Sequence, residues 1–279
     1  MKQGSLFIVS TPIGNLEDIT LRALRILKDV ELIAAEDTRR TRKLLTFYGI
    51  TTPLTSLYEQ NERQKSGLLI SKLKDGLDIA YVSDAGTPGI SDPGYLLIRQ
   101  TLEQSIDVVP VPGPSAVLAA LCVSGLPMDS FVFHAFLPSR SLKRRQFLAS
   151  LSDETKTMVF YESPKRIVKT LQDIQQTFGN RNIVVSRELT KMHEEILRGP
   201  VKDIIAIMAD RTIKGEITLI VAGADKTPVN ASTEEIQSRF KEIQKNWDLS
   251  TRDTADLISG ESGLPRNKVY KAILQLLEE

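Results

Sequence analysis

With 279 residues and 31.1 kDa, the chain is long for one domain and natural for two domains with an appendage. Hydrophobic residues at 41% and charged residues at 25% are the balance of a globular chain, which excludes a collagen-like, disordered or disulfide-scaffold protein. Lys plus Arg number 36 against 35 Asp plus Glu, so at a formal charge of +1 any nucleic-acid partner must be met by a local patch. The single Cys122 leaves no internal disulfide or Cys-based zinc cluster, and with only His134 and His193 no metal site is expected. Cys122 is expected as an inert core thiol and both histidines as hydrogen-bonded structural residues. No apolar run reaches the ~18–20 residues of a membrane span. Met1–Ser5 leads straight into a strand-like run with no signal-peptide pattern, so a cytoplasmic location is expected.

Strand-like and helix-like stretches alternate along the chain. Leu6–Ser10 reads as a strand ending in a Thr11–Asn15 turn, and Thr20 as the N-cap of a helix carrying Leu21, Leu24 and Leu27. Val30–Ala35 is a buried strand, Thr38–Tyr48 a helix closed by Gly49, and Asn61–Lys74 another closed by Gly76. Strands follow at Asp78–Ser83 and Asp107–Val111. A second series runs through helix Ser115–Val123, strand Phe131–Phe136, basic helix Leu142–Leu151 and strand Thr157–Tyr161. Helix Pro164–Phe178 has Pro at its first position, and strand Asn182–Ser186, Glu194–Arg198, helix Val201–Ala209 and strand Glu216–Ala222 close the set. The pattern predicts two α/β domains, 1–113 and 114–224, with mostly parallel or mixed sheets flanking a cleft. A polar linker, Ala224–Asn230, leads to an all-helical segment, 231–279, of helix-turn-helix-like spacing. It opens on a capping box, Ser232 with Glu235, and continues through helices Ser250–Ser259 and Pro265–Leu277.

Glycine and proline concentrate in four loops, each directly after an expected strand: Thr11–Asn15, Asp84–Gly94, Val111–Ala116 and Phe160–Pro164. In open sheets ligands bind beyond the carboxyl ends of the strands, and such loops permit close backbone approach with little flexibility. None spells a dinucleotide fingerprint or a P-loop.

Ala35-Glu36-Asp37-Thr38-Arg39, Ser83–Pro88, Phe160–Pro164 and Glu188-Leu189-Thr190-Lys191 together resemble the ribosomal small-subunit RNA methyltransferase I family, the cytidine 2′-O-methyltransferases of the tetrapyrrole methylase superfamily. The resemblance covers residues 6–223, with Ala135 where glycine is usual and Lys165 where histidine is usual. It implies an S-adenosylmethionine-dependent enzyme with its cofactor in the interdomain cleft. It also implies a homodimer, and as substrate a cytidine ribose in the decoding region of 16S rRNA. By position it implies a cofactor lined by Pro12, Asp84, Ala85, Gly86 and Thr87 on one side and set above Ser115 and Ala116. Tyr161, Leu189, Gly215, Ile217 and Thr218 would close the other side.

A sulfonium donor needs mainly an acceptor oxygen aligned with its methyl carbon, and a positioned base adds to the rate. Asp37, Glu36, Glu162 and Lys191 are the candidate bases. Asp37 is read either as a carboxylate whose pKa burial raises or as a helix N-cap, Glu162 as a base or as the ion-pair partner of Arg166, and Lys191 as a base or a phosphate holder. Arg39, Arg40, Arg42 and Lys43, with Arg140, Lys143, Arg144 and Arg145, form two basic runs suited to RNA phosphates. Arg266 and Lys268 open the last helix like a recognition helix, although residues 232–279 hold nine acids against seven bases. Two rival readings remain at this level: an enzyme of the same fold acting on a tetrapyrrole or other small acceptor, and a non-catalytic RNA-binding protein.

Overall fold

The computed structural model describes residues 3–225, 232–247 and 249–278. The chain divides into two compact units, 1–152 with 156–222, and 153–155 with 223–279, so the boundary expected near residue 113 separates two sheets of one unit.

The first sheet is wholly parallel, in the order β3-β2-β4-β1-β5. Its strands are β1 (Leu6–Val9), β2 (Leu32–Ala35), β3 (Leu54–Ser56), β4 (Ile79–Val82) and β5 (Val108–Val111). Alternation sorts its side chains: Val9, Ile33, Ala80 and Val82 pack on one face beneath helices α1 (Leu21–Asp29) and α2 (Thr38–Phe47). Leu6, Ile79 and Tyr81 face the other way, beneath α3 (Glu62–Lys74) and α4 (Tyr95–Glu103). Thr20 caps α1 as expected, accepting from Ala23 N at 3.1 Å. Neither β3, whose three residues carry no periodicity, nor α4 is among the elements expected from the sequence. Gly94 begins α4 without a side-chain cap, and Glu62 of α3 takes its place, Oε1 accepting from the Gly94 and Leu96 amides at 3.0 Å.

The second sheet runs β6-β7-β10-β8-β9, with β6 (Phe131–Phe136) parallel to β7 (Thr157–Glu162) and the remaining pairs antiparallel. β8 (Asn182–Arg187), β9 (Glu195–Pro200) and β10 (Ile217–Val221) complete it. One face packs on α6 (Ser141–Ala149), α7 (Ile167–Phe178) and α8 (Val201–Met208), the other on α5 (Ala116–Cys122). Pro164 precedes α7 by a turn instead of occupying its first position. Cys122 is exposed, not core, its Sγ donating to Leu118 O, and His193 is exposed too. His134 stacks on Phe160 with centroids 5.3 Å apart.

The second unit holds α9 (Thr233–Asn246), α10 (Thr251–Ser262) and α11 (Arg266–Glu278) around Ile236, Phe240, Ile243, Ala255, Ile258, Val269 and Ile273. Ser232 and Glu235 form the expected capping box. α10 passes through Gly260, where the sequence suggests a break, and ends at the left-handed Gly263. From residue 226 the expected linker lies outside the described residues. Among the described residues no helix is long and apolar enough to cross a membrane.

Candidate active site

Because β1, β4 and β5 are parallel, the loops that follow them emerge at one edge and bind one another. Thr11 and Gly86 exchange two backbone hydrogen bonds of 2.9 Å, Ser10 Oγ lies 3.0 Å from Thr87 Oγ1, and Thr87 Oγ1 donates to Pro114 O at 3.4 Å. The long loop after β4 folds back on itself through left-handed residues, among them Ser91 at φ 64° and Gly94 at φ 119°. A Cβ on Gly94 would lie 2.3 Å from the ring of fully buried Tyr81, so only glycine closes this loop.

The second sheet meets the same edge with the ends of β7 and β8. Since β10 is antiparallel to both, its entrance, Gly215–Thr218, lies beside their ends. Glu188 and Thr190 hold positive φ of 52° and 67°, non-glycine strain at a loop whose Thr190 Oγ1 accepts from Asn15 N at 3.0 Å. Between these loops lies a cavity of about 360 Å³, within the range of small-molecule sites.

Ala85, Gly86, Thr87, Ser115, Ala116, Tyr161, Leu189, Gly215, Ile217 and Thr218 all line it. Pro12 and Asp84 do not; Asp84 stands just outside, accepting from Asp37 N at 2.9 Å and pairing with Arg40 at 3.3 Å. Ile13, Ile90, Asp92, Phe136, Ser186 and Glu216, not expected as site residues from the sequence, also line the cavity. The Asp84–Gly94 loop carries the signal for Ile90 and Asp92, but only its fold turns them inward.

The candidate bases fare differently. Asp37 caps α2 and is held by Arg39, whose guanidinium lies 3.0 Å away. The side-chain and backbone hydrogen bonds from Arg39 lower its pKa to about 2, against the burial-driven rise that a base would need. Glu162 lines the cavity but is fully engaged: Oε2 accepts from Thr170 Oγ1 at 2.7 Å and Arg166 at 3.1 Å, Oε1 from Ser163 N at 2.6 Å. Lys191 bridges Glu188 (2.8 Å) and Glu216 (3.1 Å) outside the cavity lining. Burial opposes its charge, but those hydrogen bonds outweigh it and raise its pKa, so it is a cation and not a base. Glu36 has its pKa raised by burial and by the charges of Asp92 and Asp84, yet it too stands behind the wall.

Asp92 is the wall carboxylate that no ion pair reaches among the described residues. Burial raises its pKa, a hydrogen bond from Ser83 partly offsets this, and the Asp84 charge adds to it. Burial pushes the Tyr161 hydroxyl up to about 12, so it remains a hydrogen-bond donor at neutral pH. Ala135 adopts φ 55° at the irregularity between β6 and β7, the conformation glycine takes without strain.

Of the basic runs, Arg39, Arg40, Arg42 and Lys43 are exposed on α2, and Arg140, Lys143 and Arg145 on and before α6. Arg144 is not available to RNA: it is 3% exposed, its Nε donating to Asp173 at 2.7 Å, because its position on α6 faces α7. In the second unit Arg266 pairs with Asp256, and Lys268 is exposed.

These features define a class. The tetrapyrrole (corrin/porphyrin) methylase model matches residues 5–205. Solved structures share the fold: cobalt precorrin-4 methyltransferase, a cobalamin biosynthetic enzyme, at a TM-score of 0.61 and 17% identity over 78% of this chain and 94% of that one. Diphthine synthase is similar at 0.60 and 13%, over 78% and 90%.

Curated relatives narrow the class. Proteins named ribosomal RNA small subunit methyltransferase I are 44% identical in Synechocystis sp., over 98% of both chains, and 42% in Pseudomonas aeruginosa, over 99% of this chain and 98% of that one. One from Thermotoga maritima is 48% identical and matched over its full length by 80% of this chain. The chain thus belongs to the ribosomal RNA small subunit methyltransferase I branch of the tetrapyrrole methylases, and it is a methyltransferase.

Proposed function

We propose that the protein methylates the ribose 2′-oxygen of a cytidine in the decoding region of small-subunit ribosomal RNA, with S-adenosylmethionine as donor, in the cytoplasm. The carrying observation is the cavity, whose wall sets apolar Ile13, Leu189 and Ile217 beside the carboxylates of Asp92 and Glu216. That donor set suits a molecule with a flat purine at one end and positive charge at the other. Leu189 and Ile217 would hold the base, Ser115 and Thr218 would offer hydroxyls, and Asp92 and Glu216 would face the cationic part.

Once bound, S-adenosylmethionine supplies a methyl carbon already activated by a positively charged sulfur. The protein's own task is then alignment and proton removal, and orientation is the larger effect. Asp92 accepts the ribose hydroxyl proton on a carboxylate oxygen; its partial burial raises its basicity and, among the described residues, no ion pair quenches it. The loop after β4 forms one wall of the cavity through Ala85–Thr87 and Ile90–Asp92. Exposed Arg140, Lys143 and Arg145 meet phosphates of the acceptor, a contact that orients RNA without reading its sequence.

The test is methyl transfer to small-subunit RNA with isotopically labelled donor, followed by mass mapping of the methylated nucleotide. A methylated cytidine ribose is expected. Asp92→Asn should lower kcat at saturating donor by a factor of about 10²–10⁴, beyond the weaker donor binding that loss of its charge brings. Methylation of a base, or of no RNA at all, refutes the reading.

A further inference from the structure

Helix α2 carries a surface that the cavity does not explain. Its buried side is Thr41, Leu44 and Leu45. The remaining arc presents Arg39, Arg40, Arg42, Lys43, Thr46 and Phe47, all exposed and without one acidic side chain. In a chain of formal charge +1 this is a concentrated positive field. Arg39 and Arg40 are paired with Asp37 and Asp84, whereas no ion pair reaches Arg42 or Lys43 among the described residues. Arg39, Lys43 and Phe47 recur at intervals of four, so they form one stripe about 12 Å long.

The stripe starts at the cavity. Asp84, next to wall residue Ala85, accepts from the Asp37 amide at 2.9 Å and pairs with Arg40 at 3.3 Å, which ties the start of α2 to the cavity loop. At its far end Phe47 is 64% exposed, its ring in edge-to-face contact with Tyr48 at 4.9 Å. An apolar ring that far into solvent, at the end of a row of cations, has the composition of a site for unpaired nucleic acid: charges follow the backbone and the ring stacks on a base. A duplex has no free base face to offer it.

We propose that α2 is the track for a single-stranded segment of the acceptor RNA flanking the methylated nucleotide, with Arg42 and Lys43 on its phosphates and Phe47 stacked on one unpaired base. This rests on the RNA reading above and adds where the strand lies and which residue holds it.

The test measures binding of a fluorescent single-stranded oligouridylate of about twelve nucleotides, which stacking accepts without regard to sequence, and of an RNA duplex of equal length. The proteins are full-length wild type, Phe47→Ala, Phe47→Trp and Arg42→Glu/Lys43→Glu, over a salt series, with mass in solution from sedimentation. Phe47→Ala should weaken single-strand binding by about 5- to 100-fold, keep its salt slope and spare the duplex, and Phe47→Trp should restore it. The double charge reversal should weaken binding and flatten the salt slope by about 1–2. The proposal falls if Phe47→Ala binds single strands as wild type does, loses the duplex equally, or changes mass in solution, which would mean that Phe47 covers a second copy of the chain. If the wild type binds neither probe, the RNA reading falls and takes this one with it; if it binds and methylates RNA while Phe47→Ala is unaffected, this one falls alone.

Discussion

Replacing Arg144 by alanine should unfold the α/β unit more readily without acting on RNA directly. Arg144 and Asp173 are 3% and 7% exposed, and three contacts hold them: Nε to Oδ2 at 2.7 Å, the terminal nitrogen to Oδ2 at 2.6 Å, and Ser141 Oγ to the same carboxylate at 3.2 Å. Without the guanidinium, Asp173 keeps, among the described residues, only the serine hydroxyl as a side-chain donor in a poorly solvated site. Breaking one side of a buried pair costs about 3–5 kcal/mol. For a unit of this size each kcal/mol shifts Tm by ~2–4 °C, so a drop on the order of 10 °C is expected. Replacing both partners, Arg144→Met with Asp173→Leu, should recover most of that loss, since an apolar pair leaves no charge unpartnered. Urea denaturation followed by far-UV circular dichroism reads both. Arg145→Ala, one position on and exposed, supplies the contrast: unchanged stability and weaker RNA binding. An Arg144→Ala protein of wild-type stability that had lost RNA affinity would refute the assignment.

Three further outcomes are expected. A Cβ at Gly14 would lie 2.5 Å from Lys191 Cγ and 2.9 Å from Leu189 O, so Gly14→Ala should displace the loop that carries the Leu189 wall and weaken donor binding in calorimetry more than it lowers Tm. Ala135→Gly removes left-handed strain of about 1–2 kcal/mol and adds unfolded-chain entropy of about 0.4–1 kcal/mol, for a net gain between zero and about 1.6 kcal/mol in denaturant titrations. Asp37 has its pKa lowered to about 2, so its contribution to folding is complete above about pH 4 and is lost as pH falls through about 2. The stability difference between wild type and Asp37→Asn should therefore be constant near neutral pH and close on acidification; a difference that widens in acid would show that the carboxyl is not held as described.

Local chemistry is legible along the chain wherever a few neighbouring residues decide the outcome. Thr20 and Ser232 cap the helices expected of them, because a hydroxyl and an amide three positions away need no tertiary partner. The parallel first sheet follows from buried strands alternating with helices. The antiparallel pairing of β10 with β7 and β8 does not, since register and direction between strands far apart in sequence leave no mark within any one of them. α4 escapes for a related reason: its cap is Glu62, supplied from another helix.

The amino-acid order by itself determined that glycine- and proline-rich bends would follow the strands, that two α/β sheets would form, and which of those bends would line a cavity. Ten of the twelve residues that the family resemblance places around a donor line that cavity, since they sit on those bends and at the ends of the strands. Tertiary structure alone decided which charged groups remain available. Arg144 turned inward to Asp173, Asp37 and Lys191 were bound up by Arg39 and by Glu188 with Glu216, and Asp92 was left on the cavity wall without an ion pair among the described residues. Burial and ion pairing depend on what the fold brings within a few ångströms, and the spacing of residues along a chain does not contain that distance.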